Sequence, residues 1–194
     1  STRFNNAAIV SCNLGPAGWW GNEATIRALV RSRPALILLQ DVRLREKHLG
    51  SNKFRNQLAR VAPGYKAFYT ARSLPAEDSG RAPYPMACIT LYHESLGQTE
   101  RVSENGGRDV AARGRVLGAV HHNPRHKTTL LCVNVYLPVA GHEAQFDECW
   151  SYVRDLVQRM ASQAEPILND KSLTSDARAE KLRVILREAF DHER

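Results

Sequence analysis

The first forty residues alternate between apolar runs and polar segments in an order that predicts a strand, a helix and a second strand. Residues 7–14 form an apolar run, residues 23 to about 33 carry apolar side chains at helical spacing behind a capping Asn22, and residues 35–39 are apolar throughout. This order is typical of a βαβ unit with two parallel strands. Parallel strands end at the same edge of a sheet, and open α/β sheets bind ligands at that edge.

The rest of the chain predicts a mixed α/β fold in one domain. Further strands are expected at residues 65–70, 86–92, 116–121 and 129–136, and helices at about residues 51–62, 143–162 and 175–189. The helix at 143–162 carries a series of apolar side chains at helical spacing: Phe146, Trp150, Val153, Val157 and Met160. We expect these side chains to lie in the core.

Positive charge is concentrated in two stretches of the chain. There are 27 Lys and Arg against 20 Asp and Glu, which gives a net charge of +7. Residues 27–60 hold nine basic and two acidic residues, and residues 101–127 hold six and two. Two basic stretches on a near-neutral remainder suit a polyanion such as nucleic acid. Because aromatic side chains are sparse in both stretches, solvated helix faces and loops are the alternative interpretation.

Cysteine spacing and hydropathy limit the class of protein. The four cysteines are widely spaced without a Cys-x-x-Cys pair, which argues against a zinc ribbon or a thioredoxin-type site. Three of them lie in apolar runs, so we expect buried, reduced thiols. Reduced thiols favour an intracellular, reducing compartment, and the choice between a nuclear and an organellar location stays open. No apolar run approaches the ~18 residues of a membrane span. No P-loop motif for nucleotide phosphates is present.

Three polar side chains end predicted strands, namely Asn13, Asp41 and Tyr136. One carboxylate is enough to anchor Mg²⁺, which takes its other ligands from water and phosphate. An Asn beside it is able to orient a phosphate or a water molecule, and a Tyr hydroxyl is able to donate to charge that develops on a phosphate. Polar residues also end strands for purely structural reasons, so these residues alone leave both interpretations open.

Three short motifs follow one another along the chain. Ile9-Val-Ser-Cys-Asn13 is a strand that ends in Asn, the strand within residues 34–44 runs into Gln40-Asp41, and Val133-Asn-Val-Tyr-Leu-Pro138 ends the last predicted strand. Their order resembles the endonuclease/exonuclease/phosphatase superfamily, in which strands end in Asn, in Gln-Glu and in Asn-x-Tyr-x-Pro. The resemblance covers roughly residues 9–167 and is closest to the apurinic-type endonuclease domains of non-LTR retrotransposons.

The resemblance implies a single domain over residues 1–194, built as a four-layered α/β sandwich of two packed mixed sheets flanked by helices. It also implies Mg²⁺-dependent hydrolysis of phosphodiesters. Asn13 matches the active-site Asn of the family, Asp41 matches its metal-binding Glu, and Tyr136 matches its phosphate-facing Tyr. The implied partner is nucleic acid, DNA rather than RNA, held by the basic residues near these motifs: Arg43, Arg45, Lys47, Arg113 and Arg115.

The later motifs of the family are missing from the sequence. Asp41 is one methylene shorter than the family's Glu, residues 165–172 stand where the family has Gly-Asp-Phe-Asn, and the final Ser-Asp-His is not carried onto His192. Two hypotheses therefore stay open. The first is an active Mg²⁺-dependent nuclease or phosphodiesterase. The second is a degenerate or truncated, inactive relative that serves as a structural subunit of a larger assembly or as a nucleic-acid-binding module.

Overall fold

Strands of the described residues form two sheets that pack face to face. The computed structural model describes residues 9–44, 46–69, 86–101, 115–123, 128–137 and 143–191. Sheet 1 consists of β1 (Ile9–Asn13), β2 (Leu36–Leu44), β3 (Tyr65–Tyr69) and β4 (Met86–His93), in the spatial order β1-β2-β4-β3. Sheet 2 consists of β5 (Gln98–Arg101), β6 (Val116–Asn123) and β7 (Thr128–Val135), in the order β5-β6-β7.

Sheet 1 is mixed, whereas sheet 2 is antiparallel over the strands described. β1 runs parallel to β2, which confirms the predicted βαβ unit, and β4 runs antiparallel to both β2 and β3. β2 extends to Leu44, beyond the predicted apolar end at residue 39, and so includes Asp41. β5 has no counterpart among the predicted strands because its sequence, Gln-Thr-Glu-Arg, has no apolar alternation.

Helices cover the outer face of each sheet, which confirms the predicted four-layered sandwich. On the side of sheet 1 lie α1 (Gly18–Gly21), α2 (Glu23–Arg31), α3 (Glu46–Leu49) and α4 (Asn52–Val61). On the side of sheet 2 lie α5 (Glu143–Asn169), which continues past its predicted end, and α6 (Ser175–Asp191).

The core between sheet 1 and its helices includes Trp19, from the short helix α1. Trp19 is fully buried and packs against Phe54 of α4, with 5.2 Å between ring centroids. Its indole nitrogen donates to Gln57 Oε1 over 2.8 Å, so that both buried polar groups are satisfied. Ile26 of α2 joins this core as predicted. This packing fixes the segment that follows β1 against the helices.

Asn22 stands at the start of α2 as predicted, but its side chain does not cap the helix. Its amide nitrogen donates instead to the carbonyl oxygens of Leu14, over 2.8 Å, and Gly18, over 2.7 Å. The predicted capping bond is therefore wrong. The side chain ties the end of β1 to the short helix α1.

The apolar side of α5 is wider than the surface of sheet 2 that it covers. Val153 and Met160 are buried against sheet 2, as predicted. Phe146, Trp150 and Val157 are exposed, so their predicted place in the core is wrong. All five side chains lie at helical spacing, but only those that face the sheet find a surface to cover them.

The remaining predictions concern cysteines, membrane segments and basic residues. All four cysteines are free, with Cys12 partly buried and the other three buried, as expected for reduced thiols. Across the described residues, no helix is long and apolar enough to cross a membrane. Arg45, Arg113, His192 and the side chain of Lys47 lie outside the described residues.

Candidate active site

A bulge interrupts β2 at the residues that the sequence singles out. Pairing with β4 is regular up to Gln40 and resumes at Leu44, so that three residues of β2 oppose one residue of β4. Within the bulge, Asp41 and Arg43 both have φ of 52°. This left-handed conformation costs a non-glycine residue about 1 kcal/mol or more. Strained backbone of this kind clusters at functional sites.

Gly18 lets the segment after β1 approach this bulge closely. Its φ is 56°, and a Cβ atom built there would lie 2.8 Å from the carbonyl oxygen of Val42 and 2.9 Å from Cβ of Arg43. Any side chain at this position would push the bulge away. The glycine is therefore part of the support that holds the bulge in place.

The carboxylate of Asp41 is paired with the guanidinium of Arg43. Nε of Arg43 donates to Oδ1 over 2.9 Å and Nη2 donates to Oδ2 over 3.3 Å. Asp41 is 13% exposed whereas Arg43 is 48% exposed, so the acid is held inside while the base reaches the surface. The hydrogen bond and the charge of Asp41 raise the pKa of Arg43. At the bulge, the charge of the Asp41 carboxylate is therefore neutralised by the Arg43 guanidinium, which lies on its solvent side.

Tyr136 and Arg115 complete a cluster with this pair. The backbone nitrogen of Tyr136 donates to the carbonyl oxygen of Arg115 over 2.8 Å, and the Arg115 guanidinium lies 5.5 Å from the centroid of the Tyr136 ring. Burial raises the pKa of Tyr136, the charge of Asp41 adds to this, and Arg115 and Arg43 oppose it. The phenol therefore stays protonated at neutral pH and is able to donate a hydrogen bond. Asp41, Arg43, Arg115 and Tyr136 are called the edge cluster below.

Asn13 reaches the same edge of sheet 1, but its side-chain oxygen is used locally. Its backbone pairs with Gln40, the residue before Asp41. Its Oδ1 atom accepts a hydrogen bond from the backbone nitrogen of Gly15 over 2.8 Å, which closes a turn after β1. The structure thus brings the strand end of Asn13 beside the edge cluster. The predicted role of its side chain in orienting phosphate stays a prediction.

Asn134 is a positioning residue to which the sequence interpretation assigned no role. It is buried between the sheets, and its amide nitrogen donates to the carbonyl oxygens of Leu39, over 3.2 Å, and Ile89, over 2.9 Å. Its oxygen accepts from Gln40 Nε2 over 2.6 Å. One side chain of β7 thereby bonds to both β2 and β4. The signal in the sequence is an Asn in the middle of an apolar strand, where a polar side chain needs buried partners.

Metal ligands are sparse around the edge cluster. Within the described ranges, no group of three or more His, Cys, Asp and Glu side chains is placed to hold a metal ion. Mg²⁺ commonly uses only one or two carboxylates and completes its shell with water and phosphate oxygens. Asp41 fits that minimal donor set, provided that the metal displaces Arg43 from its carboxylate.

Solved structures with the same arrangement identify the fold. AP endonuclease from Leishmania major matches with a TM-score of 0.56 at 14% identity, over 95% of this chain and 66% of that one. The catalytic domain of human Nocturnin matches with a TM-score of 0.51 at 13% identity, over 80% of this chain and 59% of that one. The chain has the endonuclease/exonuclease/phosphatase fold. The resemblance predicted from the three motifs is confirmed at the level of fold.

The similarity to these proteins lies in the structure and not in the amino-acid sequence. The chain spans less than two thirds of the length of either neighbour. No protein-family model and no curated protein sequence matches it. The endonuclease domain of TRAS1, a telomere-specific non-LTR retrotransposon, aligns at a TM-score of only 0.44, which is too low to support an argument. The roles of Asn13, Asp41 and Tyr136 therefore depend on the geometry of this chain.

Proposed function

We propose that this protein binds the phosphodiester backbone of nucleic acid at the edge cluster and hydrolyses it with Mg²⁺. The observation that carries the proposal is the grouping of two guanidinium groups and one carboxylate around Tyr136: Arg43 binds Asp41, Arg115 lies against the Tyr136 ring, and the charges of all three act on its hydroxyl. Guanidinium groups match phosphate oxygens in geometry and charge. The two basic stretches of the sequence and the AP endonuclease neighbour favour nucleic acid as the source of the phosphate, and DNA is the first class to test.

Each residue of the cluster has a distinct role in this proposal. Arg43 reaches the surface and Arg115 lies over the Tyr136 ring, so both are placed to contact phosphate oxygens. The Tyr136 hydroxyl donates to the charge that grows on the phosphate during reaction. Asp41 would hold Mg²⁺, which supplies Lewis-acid polarisation of the phosphate when bound. Asn13 closes the turn beside them.

Binding without hydrolysis is the second candidate function. The observation in its favour is the two-bond pairing of Asp41 with Arg43, because it occupies the carboxylate that hydrolysis requires for a metal. In this case the edge cluster is a phosphate-binding surface, and the protein is an inactive nucleic-acid-binding module or an inactive subunit of a larger assembly. Both candidates predict binding, and only the first predicts turnover.

A cleavage assay paired with a binding assay separates the two functions. Labelled nicked and abasic duplexes are incubated with the protein in Mg²⁺ or EDTA, and binding to the same duplexes is followed by fluorescence anisotropy over a range of salt. Asp41→Ala, Arg115→Ala and Tyr136→Phe are compared with Lys171→Ala, which removes an exposed charge from the turn between α5 and α6, outside both basic stretches. Phosphate contacts make affinity fall steeply as salt rises.

Three results decide between the functions. Mg²⁺-dependent cleavage that Asp41→Ala abolishes supports the hydrolase. Salt-dependent binding that Arg115→Ala weakens, without cleavage in any condition, supports the binding module. Absence of binding, or binding that Lys171→Ala weakens as much as Arg115→Ala does, overturns both candidates.

A further inference from the structure

An exposed apolar stripe lies on the N-terminal half of α5, between the buried side of the helix and a charged flank. Its large members are Phe146, Trp150 and Val157, which are 38%, 50% and 49% exposed. At about 100° per residue these side chains fall within a sector of about 40°, and they extend over roughly 17 Å of helix. Contiguous apolar surface of this kind marks interaction sites, whereas single exposed residues do not.

One flank of the stripe carries an acid three residues before Trp150 and a base four residues after it. Asp147 and Arg154 are seven residues apart, about two helical turns, and therefore lie on the same side of the stripe. In an antiparallel pair of identical helices that cross near Trp150, Asp147 faces Arg154 of the partner subunit, and the contact occurs twice. In a parallel pair, like charges would face each other.

Arg154 already lies 3.6 Å from Asp155 of its own helix, but both side chains are more than half exposed. An ion pair of this kind is worth little, so it does not prevent Arg154 from turning towards another acid. The flank is therefore self-complementary only when the second helix is antiparallel and identical. If the partner were an unrelated helix, nothing would require Asp147 and Arg154 to lie at nearly equal distances from Trp150.

We propose that the stripe on α5 is the two-fold interface of a dimer and that its occupant is α5 of a second copy of this chain. A two-fold interface uses the same patch on both protomers and must match itself. Trp150 lies at the centre, where interface energy concentrates in aromatic side chains, and Phe146 and Val157 extend the contact on both sides. This explains why side chains spaced for the core are exposed in the single chain.

Sedimentation velocity over a range of concentrations tests the proposal on the full chain. Wild type is expected to form a dimer, and Trp150→Ala is expected to weaken its Kd about 30-fold, which corresponds to ~2 kcal/mol. Val157→Glu on the stripe is compared with Val184→Glu on α6, a valine that is 41% exposed outside the stripe. Only the first of these matched changes is expected to give a monomer.

A charge exchange tests the antiparallel register. Asp147→Arg alone and Arg154→Asp alone are each expected to weaken the dimer, because like charges then face each other across the two-fold axis. The double variant restores opposite charges at both contacts and is expected to restore the dimer. Circular dichroism and thermal midpoints confirm that each variant is folded.

Three outcomes would overturn the proposal. The first is a wild-type chain that stays monomeric at about 100 μM, because a dimer with a Kd of about 1 μM is largely formed at that concentration. The stripe would then bind a different partner. The second is an equal loss of dimer in Val157→Glu and Val184→Glu. The third is a double charge variant that dimerises no better than either single variant.

Discussion

The bond network of Asn134 predicts a large and specific loss of stability. Asn134→Ala removes three hydrogen bonds between the sheets, to Leu39, Ile89 and Gln40, and a longer one of 3.4 Å to the Thr90 hydroxyl. At about 1 kcal/mol for each bond, we expect the free energy of unfolding to fall by about 3 kcal/mol. The loss stays near this value because Gln40 keeps its contacts with Ser11 and with a backbone carbonyl, both at 3.1 Å.

Asn134→Asp separates hydrogen bonding from side-chain volume. A carboxylate of the same shape still accepts from Gln40, but it cannot donate to two carbonyl oxygens and carries a buried charge. We expect at least about 2 kcal/mol of further loss at pH 7. Burial raises the pKa of this carboxyl above its unfolded value, so the extra loss shrinks as the pH falls from 7 towards 5 and the group becomes protonated.

Urea denaturation followed by tryptophan fluorescence measures both effects, because Trp19 is buried in the core of sheet 1. Asn56→Ala on the exposed face of α4 is the matched control and is expected to change stability by less than about 0.5 kcal/mol. The reasoning is refuted if Asn134→Ala costs no more than this control, or if Asn134→Asp is as stable as Asn134→Ala at pH 7.

Three further predictions concern the site and its surroundings. Gly18→Ala should lower the thermal midpoint by several degrees and weaken nucleic-acid binding, because its Cβ would push against the bulge; unchanged melting and binding would contradict this. Arg43→Ala should tighten Mg²⁺ binding about threefold in calorimetry, because it frees the Asp41 carboxylate. An equal gain in Arg115→Ala would contradict this reason, because it would show that only the net charge of the protein matters. Burial lowers the pKa of His121, so the folded state binds fewer protons than the unfolded state and the free energy of unfolding should fall between pH 7 and pH 5. In urea titrations, His121→Asn should reduce this dependence on pH.

Hydrophobic spacing was sufficient to predict the order of the main helices and strands. The apolar runs of β1 and β2 and the helix between them define the parallel pair, and Asn13 and Asp41 follow at its carboxyl edge. Spacing was insufficient for α5, where Trp150 has the same periodicity as the buried Val153. Periodicity identifies the apolar side of a helix, but the width of the sheet beneath decides how much of that side is covered.

The conformation of the bulge had no signal in the sequence. Left-handed backbone is ordinarily indicated by glycine, whereas Asp41 and Arg43 adopt it with full side chains. The sequence therefore predicted a plain strand end with a carboxylate open to a metal. The observed pairing of Asp41 with Arg43 depends on two strained residues and on Gly18, which is distant in the chain.

The buried network explains how the packing of the sheets positions the edge cluster. Gln40 bonds to Ser11 on one side and to Asn134 on the other, and so connects β1, β2 and β7. Asp41 directly follows Gln40, and Tyr136 lies two residues after Asn134, just past the end of β7. A shift of one sheet against the other would therefore break buried hydrogen bonds before it could separate Asp41 from Tyr136. An unsatisfied buried amide costs about 1–3 kcal/mol, so the buried network holds the cluster more firmly than the pairing of Asp41 with the half-exposed Arg43 does. Variants of Asn134 that fold are therefore expected to lose phosphate binding in the anisotropy assay, although no residue of the cluster is changed.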